Sequence, residues 1–498
     1  MWTLNRVSSG FLFLALICLC FADLEIITAD PWGELGRIAQ GFVSPSFFSW
    51  YELLVSLLNT LAFALVGVAI SSVFGLLLAQ CFQHRLVRIG CAFIRSIHEI
   101  FWALLFLQFF GLSTLTGLLA IIIPFSGIFA KVYAEILEES DRAPNDALTH
   151  QAQGSFSAFL YARLAQAWPQ VVSYTRYRLE CGIRSSAILG FIGLPTLGFH
   201  LESFFSEGEY DQAAAVLYVF FFVIASLRFW SHRRSLLLLL LVAVVWLSTQ
   251  LNLYLSTQTD LIWRFLSYDI LPEPLKGAET LWQLEAWYAT WDWASFLIQQ
   301  QVAEGVWNTL LLTMISLVGS GILALVMYPF ISPLFLNKGS RYLSHFLLVV
   351  LRSIPELMLV FVLLIMMGPS MVPAIVALSL HNGAIIAHLI GNASRNLKLR
   401  QDAPKGINLY SYEVTPRLYR PFLAFLFYRW EVILRESAIL GILGVHTLGF
   451  YVDSAFEELR FDRALFLILV TALLNILVDT LSRGIRRKLR LNALPDMR

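Results

Sequence analysis

Two short stretches hold the residues that could do chemistry in an otherwise apolar chain. Tyr177 to Phe199 reads YRLECGIRSSAILGFIGLPTLGF, and Tyr428 to Phe450 reads YRWEVILRESAILGILGVHTLGF. About fourteen of the twenty-three positions agree without a gap, so the chain contains an internal repeat. In each copy a glutamate precedes an arginine by four residues: Glu180 and Arg184, then Glu431 and Arg435. That spacing stacks the two charges on one helix face in the favourable order. Charges inside a membrane are costly and so point to function. A guanidinium presents a planar fork to an oxyanion, which makes Arg184 and Arg435 candidate anion contacts on the pathway, with Ser186 and Ser437 close by. Mutual neutralisation within each Glu–Arg pair is the competing reading. Gly190, Gly193, Gly441 and Gly444 follow as small residues that permit close packing and suit a gate; static packing explains each of them equally well.

The elements that must position these residues are membrane helices. The composition is 58% hydrophobic and 14% charged, which excludes an ordinary soluble protein. A net charge of +1 gives no basic field for nucleic acid. The five cysteines lack metal-ligand spacing and lie in or beside apolar segments, so neither a metal site nor a disulfide framework is expected. No phosphate-binding loop, zinc-protease motif or serine elbow occurs, so no enzymatic activity is expected of this chain.

Apolar runs at Phe11–Ala22 and Ser235–Leu251 precede matching series of helices. Asn59-Thr60-Leu61 is matched by Asn308-Thr309-Leu310, and Arg95-Ser96-Ile97-His98-Glu99 by Arg352-Ser353-Ile354-Pro355-Glu356. The pattern predicts an all-α polytopic membrane protein of about twelve spans, six per half, divided into residues 1–232 and 233–498. Most Lys and Arg residues fall on one side of this topology. The positive-inside rule therefore puts both termini in the cytoplasm, with the halves as parallel repeats about an axis along the membrane normal. An outer loop carries Trp263, Trp282, Trp287, Trp291 and Trp293, which suit interfacial anchoring or a docking surface.

Two polar connectors, Glu138–Pro169 and Asn392–Pro421, occupy matching places on the cytoplasmic side. The first contains Asp146, Ala147 and Gly154, the second Asp402, Ala403 and Gly406, and glycine and proline are equally spaced in both. Each is a candidate coupling loop, able to seat in a groove on a partner. With the Arg-Ser-Ile-x-Glu stretch, Pro169-Gln170 and the Tyr-Arg-x-Glu…Leu-Gly-Phe block followed by Tyr210-Asp211, the sequence resembles phosphonate-type permeases, the membrane subunits of binding-protein-dependent ABC importers. The resemblance covers most of each half. The family's Glu-Ala-Ala loop motif is only approximated by Asp146-Ala147 and Asp402-Ala403, and two halves that usually lie on separate chains are fused here.

The resemblance implies a type I importer permease fold in the bacterial inner membrane, carrying phosphonate, phosphite or a related phosphorus oxyanion. It implies two copies of a cytoplasmic ABC ATPase that bind ATP and magnesium, an external substrate-binding protein and surrounding lipid. No cofactor would be bound by this chain. An ion-coupled secondary transporter with parallel repeats is the alternative, but it has no use for paired docking loops.

Overall fold

The computed structural model describes residues 2–27, 30–140, 157, 159–250, 260, 262–276, 283–489 and 491. Among these the regular structure is helical. In chain order the main helices are α1 (Trp2–Leu19), α2 (Pro31–Val43), α3 (Trp50–Gln80), α4 (Arg85–Ser96), α5 (Glu99–Phe110), α6 (Thr114–Glu139), α7 (Ala165–Ile188), α8 (Leu197–Glu207), α9 (Tyr210–Trp230) and α10 (Arg233–Thr249). They continue with α11 (Leu284–Leu297), α12 (Ala303–Met327), α13 (Lys338–Ser353), α14 (Glu356–Met367), α15 (Met371–Ala393), α16 (Thr415–Ser437), α17 (Leu448–Glu457) and α18 (Phe461–Lys488).

The chain forms two compact units. A middle unit comprises residues 40–262, and a C-terminal unit comprises 263–498 together with 1–39. In the middle unit α3 packs along α6, where a side chain on Gly67 would strike Ile121 and one on Gly75 would strike Phe129. Helix α10 lies on α3, and the indole of Trp246 donates to Asn59 Oδ1 at 2.8 Å. In the C-terminal unit α12 packs along α15, and α1 lies on α12. Phe11 of α1 meets Phe427 and Trp430 edge-on at 5.1 and 5.4 Å, and the hydroxyls of Ser8 and Tyr419 are 2.6 Å apart. The units therefore differ from halves 1–232 and 233–498. The apolar helix that opens each sequence half packs in the unit formed mainly by the other half.

The two Arg-Ser-Ile-x-Glu stretches each break a helix rather than simply opening one. Helices α4 and α5 meet at 90°, as do α13 and α14. The corners are made by different chemistry. Ile97 and His98 are extended, and His98 Nδ1 accepts from the backbone N–H of Ile100 at 3.2 Å, a side-chain cap for α5. In the second copy Pro355 fixes its own φ at −55° and keeps Ile354 extended.

By length and composition six of the described helices can cross a membrane, or nine if each bent pair counts as one span. Two shorter apolar helices, Asn5–Phe21 and Arg234–Thr249, add to these. An all-α polytopic membrane protein follows, although this count does not reach twelve. One reason is visible in α16, where Arg417, Arg420, Arg429, Glu431, Arg435 and Glu436 interrupt the apolar surface.

Candidate functional site: the latched turns and the polar connectors

The repeated stretch ends in a reversal with the same construction in both units. Helix α7 tightens into a 3-10 turn at Leu189–Ile192, and Gly193 then takes φ +92°; in the second copy Ile439–Leu443 precedes Gly444 at φ +86°. Side chains at these two positions would be strained in the left-handed region. Gly190 and Gly198 let the two backbones touch: a Cβ on either would collide with Phe199 N or with the Ala187 carbonyl. Gly441 and Gly449 meet Phe450 and Ala438 in the same way. The glycines expected to act as gates are thus required by the turn itself.

Each turn is latched to a neighbouring helix by the Asn-Thr pair seen in the sequence. Asn59 Nδ2 donates to Pro195 O at 2.8 Å, and Thr60 Oγ1 accepts from Leu197 N at 2.9 Å. Asn308 Nδ2 donates to His446 O at 2.9 Å, and Thr309 Oγ1 accepts from Leu448 N at 3.0 Å. Leu197 and Leu448 are the first residues of α8 and α17, whose N–H groups have no partner within their own helix. A threonine from another helix therefore serves as the cap. The two residues were conspicuous as a repeated dipeptide, but their partners lie more than a hundred positions away.

The residues of the predicted Glu–Arg pairs lie at equivalent, half-buried positions. Glu180 and Arg184 are both half-buried, yet among the described residues Glu180 makes no ion pair, and Arg184 Nη2 lies 3.5 Å from Cys181 Sγ. Glu431 and Arg435 are also half-buried on α16. Ser186 and Ser437 are fully buried, and their hydroxyls donate back to Ile183 O and Leu434 O of their own helices. In this state neither hydroxyl offers its proton to a ligand.

A second set of polar residues, without an assigned role from sequence, surrounds the helix corners. In the middle unit Ser185 Oγ donates to Glu99 Oε1 at 2.7 Å, and His98 Nε2 is 3.4 Å from Glu99 Oε2. Glu436 replaces Ser185 in the second repeat. There Asn382 Nδ2 donates to Glu436 Oε2 at 3.1 Å, and His381 Nε2 is 3.5 Å from Glu356 Oε2. His98 and His381 come from different elements yet meet equivalent glutamates, so aligning the repeats does not reveal the match.

The chain is 24% identical over 425 residues to the phosphate-import permease protein PhnE of Mycolicibacterium smegmatis, covering 80% of this chain and 76% of that protein. It is 29% identical over 226 residues to the phosphite transport system permease protein PtxC of Stutzerimonas stutzeri, covering 43% of this chain and 82% of that protein. No family model and no solved structure matches. The chain is thus similar to permease subunits of phosphate and phosphite transport systems. The second alignment takes under half of this chain but most of its relative.

Of the permease's connector residues, Asp146, Ala147 and Gly154 lie outside the described residues, as does Trp282 of the aromatic loop. Gln401 and Asp402 form a turn, closed by Ala403 N donating to Arg400 O at 3.2 Å. Gly406 takes φ +65° in open space, so a side chain there would cost strain without a collision. The helical segment beyond it has two faces. Leu409, Glu413 and Val414 are buried, and Tyr410 stacks on Tyr328 at 5.5 Å while its hydroxyl reaches Leu325 O. Ile407 and Tyr412 face outward, 80% and 78% exposed.

Proposed function

We propose that the chain is the membrane-spanning subunit of an ATP-driven, binding-protein-dependent importer of a phosphorus oxyanion: phosphonate, phosphite or phosphate. The resemblance to a phosphate-import permease across 80% of the chain carries this reading. Two copies of a cytoplasmic ABC ATPase bind the connectors around residues 146–154 and 402–406, and ATP and magnesium belong to those subunits. A binding protein outside the cell delivers the anion. The permease sits in a bacterial inner membrane with both termini cytoplasmic, in contact with lipid and not with nucleic acid. Nucleotide binding biases it between outward-open and inward-open states. Arg184 and Arg435 offer the anion a transient planar fork, held weak enough for release.

Reconstitution into liposomes with the ATPase and the binding protein tests the reading. Accumulation of phosphite, methylphosphonate or phosphate should require both partners and hydrolysable ATP. Uptake driven by an ion gradient with the ATPase omitted would instead establish a secondary transporter. For the arginines, replacing both Glu–Arg pairs by Gln and Leu removes the buried charges together. Uptake should fall at least tenfold with the permease still folded, whereas normal uptake would leave these residues a structural role only.

A further inference from the structure

A buried carboxylate holds the polar connector of the C-terminal unit. Glu413 is 5% exposed. Its Oε1 accepts from Arg417 Nη1 at 3.1 Å, one turn on, and its Oε2 lies 3.6 Å from Arg400 Nε, thirteen residues back. The same Arg417 nitrogen also donates to Lys398 O at 2.9 Å. One buried acid thus ties together the non-helical stretch 398–400, the helical end of the connector and the first turn of α16. The segment between these anchor points contains the turn at Gln401 and Asp402, Gly406 and the exposed Ile407.

With Gly154 aligned to Gly406 and Pro169 to Pro421, Tyr161 falls at the position of Glu413 and Ala165 at that of Arg417. Tyr161 is 76% exposed, and Arg163 Nε close by donates to Leu137 O at 3.1 Å. At the position of the buried carboxylate the middle unit thus carries an exposed phenol. What the clamp adds is a fixed outward aim for Ile407 and Tyr412, on a stretch of chain whose exposed residues include the basic Lys398, Arg400, Lys405 and Arg420.

We propose that Glu413 is a positioning residue for ATPase docking: it clamps Arg400 and Arg417 so that the connector presents Ile407 and Tyr412, as apolar knobs with a basic rim, to an apolar, acid-edged groove on the ATPase. The inference rests on the proposed function, because the partner is the ATPase of that importer. It adds that the C-terminal connector depends on a buried charge for its docking geometry.

The test measures association of the cognate ATPase with the full-length permease in nanodiscs, together with the thermal midpoint of the permease alone. Glu413→Gln should weaken association at least tenfold, and Glu413→Asp should recover most of it by restoring the charge. Arg400→Gln alters an arm that is 75% exposed on its side chain, so it leaves folding intact; it should weaken association severalfold without moving the midpoint. Ile407→Asp, which leaves the clamp intact, should match Glu413→Gln. Normal association in both Glu413→Gln and Arg400→Gln would overturn the inference while leaving the importer reading in place. A wild-type permease that fails to bind the ATPase would overturn the importer reading itself. A lowered thermal midpoint in Glu413→Gln together with normal association in Arg400→Gln would reduce Glu413 to a structural residue and also overturn the inference.

Discussion

The two helix corners solve one problem with different residues. In the middle unit a neutral hydroxyl, Ser185, satisfies the carboxylate of Glu99. In the C-terminal unit a second carboxylate, Glu436, takes the serine's place at 6% exposure, and the amide of Asn382 supplies a donor to it. Ser71 Oγ reaches Ile122 O as Ser320 Oγ reaches Leu378 O, so the position of Asn382 is occupied by Ser126 in the middle unit, whose hydroxyl donates to Ile122 O as the Asn382 amide donates to Leu378 O. Serine with serine, or glutamate with asparagine, are therefore matched sets. A buried carboxylate needs donors, and its neighbour must change with it. Once the halves share one chain, each can accumulate such a set without its twin.

The largest effect should come where the units agree. Gly198→Val and Gly449→Val each drive a side chain into a backbone carbonyl, and both should cost about 4 kcal/mol or more. Loss of monodisperse permease from membrane extracts reads this out. A tolerated change at one position only would show that the two turns are not equivalent.

Next is Asn382→Leu, which removes a donor from the buried Glu436 and should cost about 3 kcal/mol in a thermal unfolding assay. Adding Glu436→Ser should recover most of that loss, because the carboxylate that needed the donor is gone. Independent, additive losses would break the pairing. Ser185→Ala should cost less, about 1–2 kcal/mol, since Glu99 also has His98 nearby. The smallest effects belong to the latches. Thr60→Val and Thr309→Val should each cost about 1 kcal/mol, and equally, because each strips one helix-start N–H of its acceptor. Unequal costs would show that the latch bears load in only one unit.

By itself the sequence determined the class of protein and the duplicated stretch with its glycines, because hydropathy and repetition are properties of local residue order; that those glycines serve a tight turn was decided by the fold. The sequence also displayed Asn59-Thr60 and Asn308-Thr309, and the exchange of Ser185 for Glu436. Only the tertiary structure decided what these residues do. Thr60 caps a helix 137 positions away, and His98 and His381 reach equivalent glutamates from different elements. The i,i+4 spacing of Glu180 and Arg184 permitted an ion pair, yet among the described residues Glu180 forms none, because spacing places two side chains on a face without fixing their rotamers. The opening apolar helices were legible as helices, but not the unit in which each would be buried. An apolar surface packs wherever it finds a complementary one, and complementarity belongs to the folded surface rather than to the order of the chain.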